Sequence, residues 1–345
     1  MKIAQISSVY LSVPPKTHGG TERIVYYLCQ QLSRRGHQVE LFASGDSKVD
    51  CTLHSVLPIA CQDDPLSTFY LEKEFETRHT YDLYLQAERF DLVHAHWPTL
   101  APYFSAFTTT PTLVTYGYIE KELHEYYRTH FPQCLPVCVS QAQKKMLGDD
   151  SIPVVYNGID MNEIAFNDKP EDFFIIVGRM TPGKGIAEAI RIVKKAGARL
   201  LIVGHVTTHL PWSEEYFLTE VKPHIDGDKI RYIERLPYHE IVRLMSNAKG
   251  FLFPLQWDEP FGMVVIEAMA AGTPVVAYPR GSMPELIKHG ETGYLLDVED
   301  EMVEMIDRID KLDRARCREW VEEHFSVERM VDGYEGLYRM AASGR

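Results

Sequence analysis

Short apolar runs alternate with amphipathic segments along this chain. Periods near 3.6 residues predict helices over 22–35 and 66–89, and the apolar runs between such segments predict strands. This alternation is typical of a parallel sheet that carries helices on both faces. The predicted strands cover 2–7, 38–43, 92–95, 112–115, 136–139 and 154–156, and further strands begin near Phe173, Leu200, Ile230, Gly250, Pro274 and Gly293.

A polar segment, 166–172, interrupts the alternation and is predicted to be an interdomain linker. A length of 345 residues is long for one hydrophobic core and comfortable for two. We therefore expect two doubly wound, Rossmann-like α/β domains, 1–165 and 166–326, which face a central cleft. Sheets of this kind bind ligands at the carboxyl ends of their strands.

A phosphate-binding pattern follows the apolar run 173–177, which leads into the string GRMTPGKG at 178–185 and then into a helix. The string nearly matches the Walker A motif of nucleoside triphosphatases. It fails where that motif needs a Ser or Thr hydroxyl for magnesium, because Gly185 stands there. Arg179 and Lys184 are candidate cations for a phosphate, and the alternative is that they are only solvated surface charges.

A second pattern is the string WDEPFGMVVIEAMAAGTP at 257–274, in which a Pro/Gly turn becomes an apolar helix. The turn places Glu259 at the mouth of the helix, and Glu267 lies about two turns further in, roughly 10 Å away by helical rise. The unbonded N–H groups and the dipole at such a helix start favour an anionic group. The arrangement suits a ligand with two recognisable ends.

The spacing E-x7-E of Glu259 and Glu267, followed by A-x-G-x-P-V-V-A, resembles the donor-site signature of retaining glycosyltransferases of family four, which have the GT-B fold. The resemblance implies that Glu259 binds hydroxyls of the transferred sugar and that Glu267 binds the ribose of the nucleotide. The string at 178–185 is similar to the family's G-R-x-x-x-x-K-G element, whose Arg and Lys neutralise the donor diphosphate. The implied donor-binding set is Gly19, Gly20, Arg179, Lys184, Leu236, Glu259, Phe261, Gly262, Met263, Val264 and Glu267.

The resemblance extends to the N-terminal region, where Gly19 and Gly20 precede a predicted helix. They resemble the family's G-G-x-E loop, which closes over the diphosphate and faces the acceptor. No G-x-G-x-x-G motif is present, so a nicotinamide-dependent dehydrogenase loses its main support. The resemblance also implies that the last helix, 327–345, packs back on the first domain.

One position departs from the family pattern. A His-Gly pair is common after the fifth strand of the first domain, whereas this chain has Tyr116 and Gly117. A tyrosine can donate a hydrogen bond, but it cannot carry the positive charge of an imidazolium at pH 7. We expect Tyr116 to bond the donor sugar, and His96 at the end of the strand 92–95 is the alternative imidazole. The predicted catalytic set is Arg179, Lys184, Glu259, His96 and Tyr116.

Composition narrows the possibilities further. A formal net charge of -13 argues against a nucleic-acid binder, and no apolar run reaches the length of a membrane span. The six cysteines are scattered, which favours free thiols in a reducing cytoplasm. We expect a cytoplasmic protein without membrane contact that needs no metal or other cofactor, because positive groups of the protein can stabilise the departing diphosphate.

These observations predict a retaining hexosyltransferase that moves a sugar from a nucleotide-diphosphate sugar to an unidentified hydroxyl of a small molecule or glycan. A UDP-sugar is the first choice of donor and GDP-mannose the second. The acceptor is expected against the aromatic-rich loops 10–18, 96–104 and 116–127. Two alternatives remain, which are a nucleotide-sugar epimerase or phosphorylase on the same fold and a non-catalytic nucleotide-sugar-binding protein.

Overall fold

The computed structural model describes residues 1–207 and 210–343, which form two compact units. The first unit contains Met1–Gly158 together with the terminal helix, and the second contains Ile159–Ser326. The last two residues of the predicted terminal helix, 344–345, lie outside the described residues.

The first unit is built on a parallel six-stranded sheet with the order β3-β2-β1-β4-β5-β6. Its strands are β1 (Lys2–Ile6), β2 (Gln38–Phe42), β3 (Thr52–His54), β4 (Leu92–Ala95), β5 (Thr112–Tyr116) and β6 (Cys134–Cys138). Its first five helices are α1 (Gly20–Arg34), α2 (Phe69–Tyr84), α3 (Ala101–Ser105), α4 (Lys121–His130) and α5 (Gln141–Leu147).

Two details of this sheet differ from the sequence prediction. The predicted strand 154–156 is reduced to a single bridge between Val154 and Cys138. Strand β3 was not predicted, because its three residues include only one apolar side chain and show no alternation. The predicted helix 66–89 is also shorter, since α2 ends at Tyr84 and a separate 3-10 turn covers Ala87–Arg89.

The second unit repeats the parallel six-stranded design with the order β12-β11-β10-β7-β8-β9. Its strands are β7 (Phe174–Val177), β8 (Leu200–Val203), β9 (Ile230–Ile233), β10 (Gly250–Phe253), β11 (Val275–Ala277) and β12 (Gly293–Leu295). Its helices are α6 (Ile186–Ala196), α7 (Pro211–Tyr216), α8 (Tyr238–Asn247), α9 (Met263–Ala270), α10 (Met283–Leu286), α11 (Glu299–Ile306) and α12 (Arg314–Phe325).

The central strands of the second unit are buried along their whole length, as expected for a parallel sheet covered on both faces. Helix α6 places Ile186, Ile190 and Val193 in the core that β7 and β8 form. Burial of each such side chain contributes roughly 1.5–3 kcal/mol. This packing fixes the strand ends from which the loops of the site emerge.

The segment 166–172 is irregular, and its backbone is bonded within the second unit. The Asn167 amide donates to the Ala271 carbonyl, and the Arg314 guanidinium donates to the Asn167 carbonyl at 2.7 Å. The segment predicted as a linker therefore lies inside the second unit, whose first residue is Ile159.

The terminal helix α13 (Val327–Ser343) belongs to the first unit, where it packs against α1 and β4. Its two fully buried tyrosines reach polar groups of the sheet. The Tyr338 hydroxyl lies 2.7 Å from His94 Nδ1, and the Tyr334 hydroxyl lies 2.8 Å from Thr115 Oγ1. Buried polar groups are costly unless they are bonded, so these contacts select one position for α13 on the sheet.

Among the helices of the described residues, none combines the length and the apolar character needed to cross a bilayer.

Candidate active site

The site of the second unit lies where the chain reverses direction across the sheet. Strands β7 and β10 are neighbours, although more than 70 residues separate them, because β8 and β9 continue on one side of β7 and β10 starts the other side. Both strands are parallel, so the loops that follow them emerge at the same edge. These loops carry the two patterns that the sequence singled out, 178–185 and 257–262.

Gly185 ends the first of these loops and precedes helix α6. Its backbone is left-handed, with φ of 72°, and a side-chain carbon added there would lie 2.0 Å from the Pro254 carbonyl oxygen. The β7–α6 loop therefore packs directly against the chain that leaves β10. A Ser or Thr cannot occupy this position, which removes the Walker A interpretation on steric grounds.

Lys184 and Glu259 form the central contact of the site. Lys184 Nζ donates to Glu259 Oε2 at 2.5 Å, and Trp257 Nε1 donates to the same oxygen at 2.9 Å. The ammonium also lies 5.1 Å from the centre of the Trp257 ring. Both charged side chains are largely buried, with 15% and 13% of their surface exposed. The structure thus places side by side the residue predicted to bind the diphosphate and the residue predicted to bind the sugar.

Arg179 follows Gly178 at the end of β7, and its residue is exposed. Among the residues that the structure describes, its guanidinium forms no hydrogen bond or ion pair. A guanidinium in this situation keeps its charge and its five donors available for an oxyanion. Its position and chemistry therefore fit the predicted contact with a diphosphate.

The turn before helix α9 is held by the loop that follows β11. Ser282 donates its hydroxyl to the Phe261 carbonyl and its backbone N–H to the Glu259 carbonyl, at 2.5 and 3.0 Å. Gly262 caps the helix in a left-handed conformation, and Met263 and Val264 form its first turn. The first N–H groups of a helix have no acceptor inside it, so this helix start is a ready site for an anion.

Glu267 lies one turn inside α9 and is 6% exposed. The Tyr238 hydroxyl donates to Glu267 Oε1 at 3.2 Å. Tyr238 is the first residue of α8, immediately after the loop that contains Leu236. The loop that contains Leu236, a predicted donor-binding residue, is thereby connected to the acid predicted to bind the ribose.

The predicted Gly-Gly loop belongs to the first unit. Gly19 has φ of 135° and caps α1, and a side-chain carbon there would lie 2.8 Å from Glu22 Oε2. Gly20 is the first residue of the helix. Gly19 therefore lets the loop pack tightly over the Glu22 carboxyl group.

Glu22 itself is buried, and burial raises its pKa to about 7. The nearby Glu76 carboxylate makes a smaller contribution to this shift, in the same direction. Glu76 is held by the Ser8 hydroxyl at 2.6 Å and by the Val9 amide at 3.0 Å, and burial also raises its pKa. Two carboxyl groups thus share one poorly solvated region beneath the Gly19 loop.

His96 follows β4 and is almost completely buried. Its Nε2 lies 2.7 Å from Gln5 Oε1, and an amide oxygen only accepts, so Nε2 carries the proton. Burial lowers the pKa of His96 to about 3, which leaves the ring neutral at pH 7. In this structure the ring cannot supply the positive charge that an imidazolium would give.

Tyr116 is 3% exposed and packs in the core of the first unit. Its hydroxyl lies 3.5 Å from His124 Nδ1, and His124 Nε2 lies 3.4 Å from Asp149 Oδ2. Burial raises the pKa of the Tyr116 hydroxyl above its ordinary value. The hydroxyl is therefore directed at helix α4, which disfavours the predicted bond to a sugar.

In the part of the chain that the structure describes, no three His, Cys, Asp or Glu residues are grouped closely enough to hold a metal ion. Asp226 and Asp228 have the D-x-D spacing of a divalent-metal element, which was missed in the sequence. Asp226 Oδ1 accepts the N–H groups of Asp228 and Ile230, both at 2.9 Å, so this string forms a capped turn.

The sequence analysis assigned no role to Trp257, Tyr238 or Ser282. Trp257 stands two residues before Glu259, and its place in the same motif was a usable signal. Tyr238 and Ser282 gave no such signal, because their partners lie 29 and 21 residues away and meet them only in the folded unit.

Comparisons with known proteins give two family matches. The sequence model described as "Glycosyl transferases group 1" matches residues 160–324, and the model described as "Glycosyltransferase Family 4" matches residues 18–163. An uncharacterised glycosyltransferase of Methanocaldococcus jannaschii is 27% identical over 357 residues, which cover 85% of this chain and 84% of that protein.

Solved structures match the whole chain. Sucrose-phosphate synthase from Thermosynechococcus elongatus has a TM-score of 0.79 at 20% identity, covering 100% of both chains. The Anabaena protein HepE, in complex with UDP and glucose, has a TM-score of 0.74 at 18% identity, covering 98% of this chain and 99% of that one. At these identities the similarity establishes the fold alone.

Proposed function

Because the chain belongs to the glycosyltransferases described by the group 1 and family 4 models, we propose that it transfers a sugar from a nucleotide-diphosphate sugar, with retention of configuration. The GT-B fold predicted from the sequence is confirmed by two parallel six-stranded sheets and by the matching structures. A UDP-sugar is the preferred donor in this proposal and GDP-mannose the second choice. HepE, which shares the fold, binds UDP and glucose.

The observation that carries the proposal is the contact of Lys184 with Glu259 at the mouth of helix α9. A cation suited to a diphosphate and an acid suited to sugar hydroxyls meet at the reversal point of the sheet. Glu267 stands deeper in the same helix, where the proposal places the ribose. The second unit thus carries side chains suited to bind the phosphates, the sugar and the nucleoside of one donor molecule.

The reaction moves negative charge onto the diphosphate. The bond from the anomeric carbon to the phosphate oxygen breaks, the acceptor oxygen bonds to that carbon on the same face, and the acceptor proton passes to the departing phosphate. Groups that are already positive at this point lower the barrier without reorganisation. The proposal gives this task to Arg179, Lys184 and the first N–H groups of α9, and it uses neither a metal nor a protein nucleophile.

In this proposal, His96 and Tyr116 do not contact the donor. Both side chains are buried in the first unit and bonded there. They support the strand ends from which the loops 96–104 and 116–127 begin, and these loops remain the proposed acceptor region. We also propose a cytoplasmic location, because all six cysteines are free thiols and free thiols are typical of a reducing compartment.

Two measurements test the proposal. Isothermal calorimetry with UDP, UDP-glucose, UDP-N-acetylglucosamine and GDP-mannose first identifies the nucleotide sugar that binds. Nucleotide release is then followed with and without a panel of acceptors. Acceptor-dependent release supports a transferase, whereas sugar phosphate or epimerised donor without an acceptor indicates the alternative enzymes. Binding without any turnover would indicate a non-catalytic protein.

A further inference from the structure

Tyr238 occupies a defined place next to the acid that the proposed function assigns to the ribose. It is the first residue of α8 and follows Pro237, whose backbone caps the helix. Helix α8 packs against α9, which carries Glu267. Tyr238 is partly buried, and its hydroxyl donates to Glu267 Oε1 at 3.2 Å.

This hydrogen bond holds one oxygen of the carboxylate, Oε1. A tyrosine has two side-chain torsions, and anchoring its ring at the start of a helix leaves the hydroxyl little freedom. A carboxylate offers about four acceptor sites, so an oxygen that is bonded to a tyrosine can still accept a ribose hydroxyl. A ribose presents two neighbouring hydroxyls, which donate best to a carboxylate whose plane is already set.

We propose that Tyr238 is a positioning residue that orients Glu267 toward the 2′- and 3′-hydroxyls of a nucleoside diphosphate, and so makes the site selective for ribose over deoxyribose. The inference rests on the proposed function for the nucleotide site. It adds the first residue of α8 to the recognition of the nucleoside. Tyr238 acts through Glu267 and takes no part in bond breaking.

The test compares UDP with 2′,3′-dideoxy-UDP, which lacks both hydroxyls, by calorimetry on the whole protein. The wild type is expected to prefer UDP by more than tenfold, since hydrogen bonds to a charged group are involved. Tyr238→Phe should weaken UDP binding about fivefold to tenfold and leave dideoxy-UDP binding unchanged. Tyr294→Phe is the matched control, because Tyr294 lies on β12 and contacts His289.

Several outcomes separate the inference from the proposed function. If Glu267→Gln keeps the wild-type preference for UDP, the assignment of Glu267 to the ribose fails, and the proposed nucleotide site fails with it. If Glu267→Gln abolishes the preference but Tyr238→Phe retains it, only the inference on Tyr238 is overturned. An equal loss for both nucleotides in Tyr238→Phe would show a merely structural role and would overturn the inference as well.

Discussion

Glu259→Gln is the most informative substitution, because Glu259 neutralises the cation that the proposed reaction needs. Lys184 Nζ and Glu259 Oε2 are 2.5 Å apart, and Trp257 donates to the same oxygen. A diphosphate that reaches Lys184 must compete with this carboxylate. Glutamine keeps the size of the side chain and an acceptor oxygen for Trp257, but it removes the negative charge.

The geometry sets the magnitude of the effect. Two unit charges at this separation attract each other by about 7 kcal/mol at an effective dielectric constant of about 20. Water competes for both ions, so the net value of such a bond is smaller, about 1.5–3 kcal/mol. A diphosphate gives Lys184 a new anionic partner in exchange. We therefore expect Glu259→Gln to bind plain UDP more tightly by about 1–2 kcal/mol, or roughly fivefold to thirtyfold.

Calorimetry with UDP and a nucleotide-release assay with the sugar donor form the test. The variant should bind UDP more tightly and turn over the sugar donor about a hundredfold more slowly, because the sugar hydroxyls lose their negatively charged acceptor. Glu304→Gln, an exposed acid of α11, controls for the change in net charge. Unchanged or weaker UDP binding in Glu259→Gln, with a neutral control, would refute a role for Lys184 at the diphosphate.

Three further predictions follow from the two units. Arg179→Ala should reduce turnover about 10²–10³-fold without lowering the melting temperature, because the exposed side chain stabilises the charge on the diphosphate rather than the fold. A drop in turnover that is accompanied by a lower melting temperature would contradict this. Burial raises the pKa of Glu22 from 4.5 to about 7, so the folded protein holds a proton that the unfolded chain releases between these values. The contribution of this proton to the free energy of unfolding, on the order of 3 kcal/mol, is present below pH 4.5 and is lost as the pH rises through 7. Denaturation curves at pH 5 and pH 8 should show this loss in the wild type and not in Glu22→Gln. Tyr116→Phe should keep turnover within twofold, because the Tyr116 hydroxyl faces His124. A tenfold drop in the nucleotide-release assay would instead support the bond to the sugar that the sequence predicted.

The sequence by itself determined the α/β class and the position of most strands. Each of the six strands predicted for the second unit begins within one residue of the expected position. The central strands β7, β8 and β10 are buried on both faces and need a continuous apolar run, which the sequence displays directly. The glycine string at 178–185 and the acids Glu259 and Glu267 were visible for a similar reason. Turns and helix starts depend on residues that are close together in the chain.

Tertiary structure alone decided which of these groups meet and which are available to a ligand. Lys184 and Glu259 are 75 residues apart, and their ion pair exists only because β7 and β10 are neighbours in the sheet. His96 and Tyr116 are polar in the sequence but buried and bonded in the first unit, which changes their protonation and their access. Burial and hydrogen-bond partners are set by what packs around a side chain, and neither local propensity nor hydrophobic periodicity contains that information.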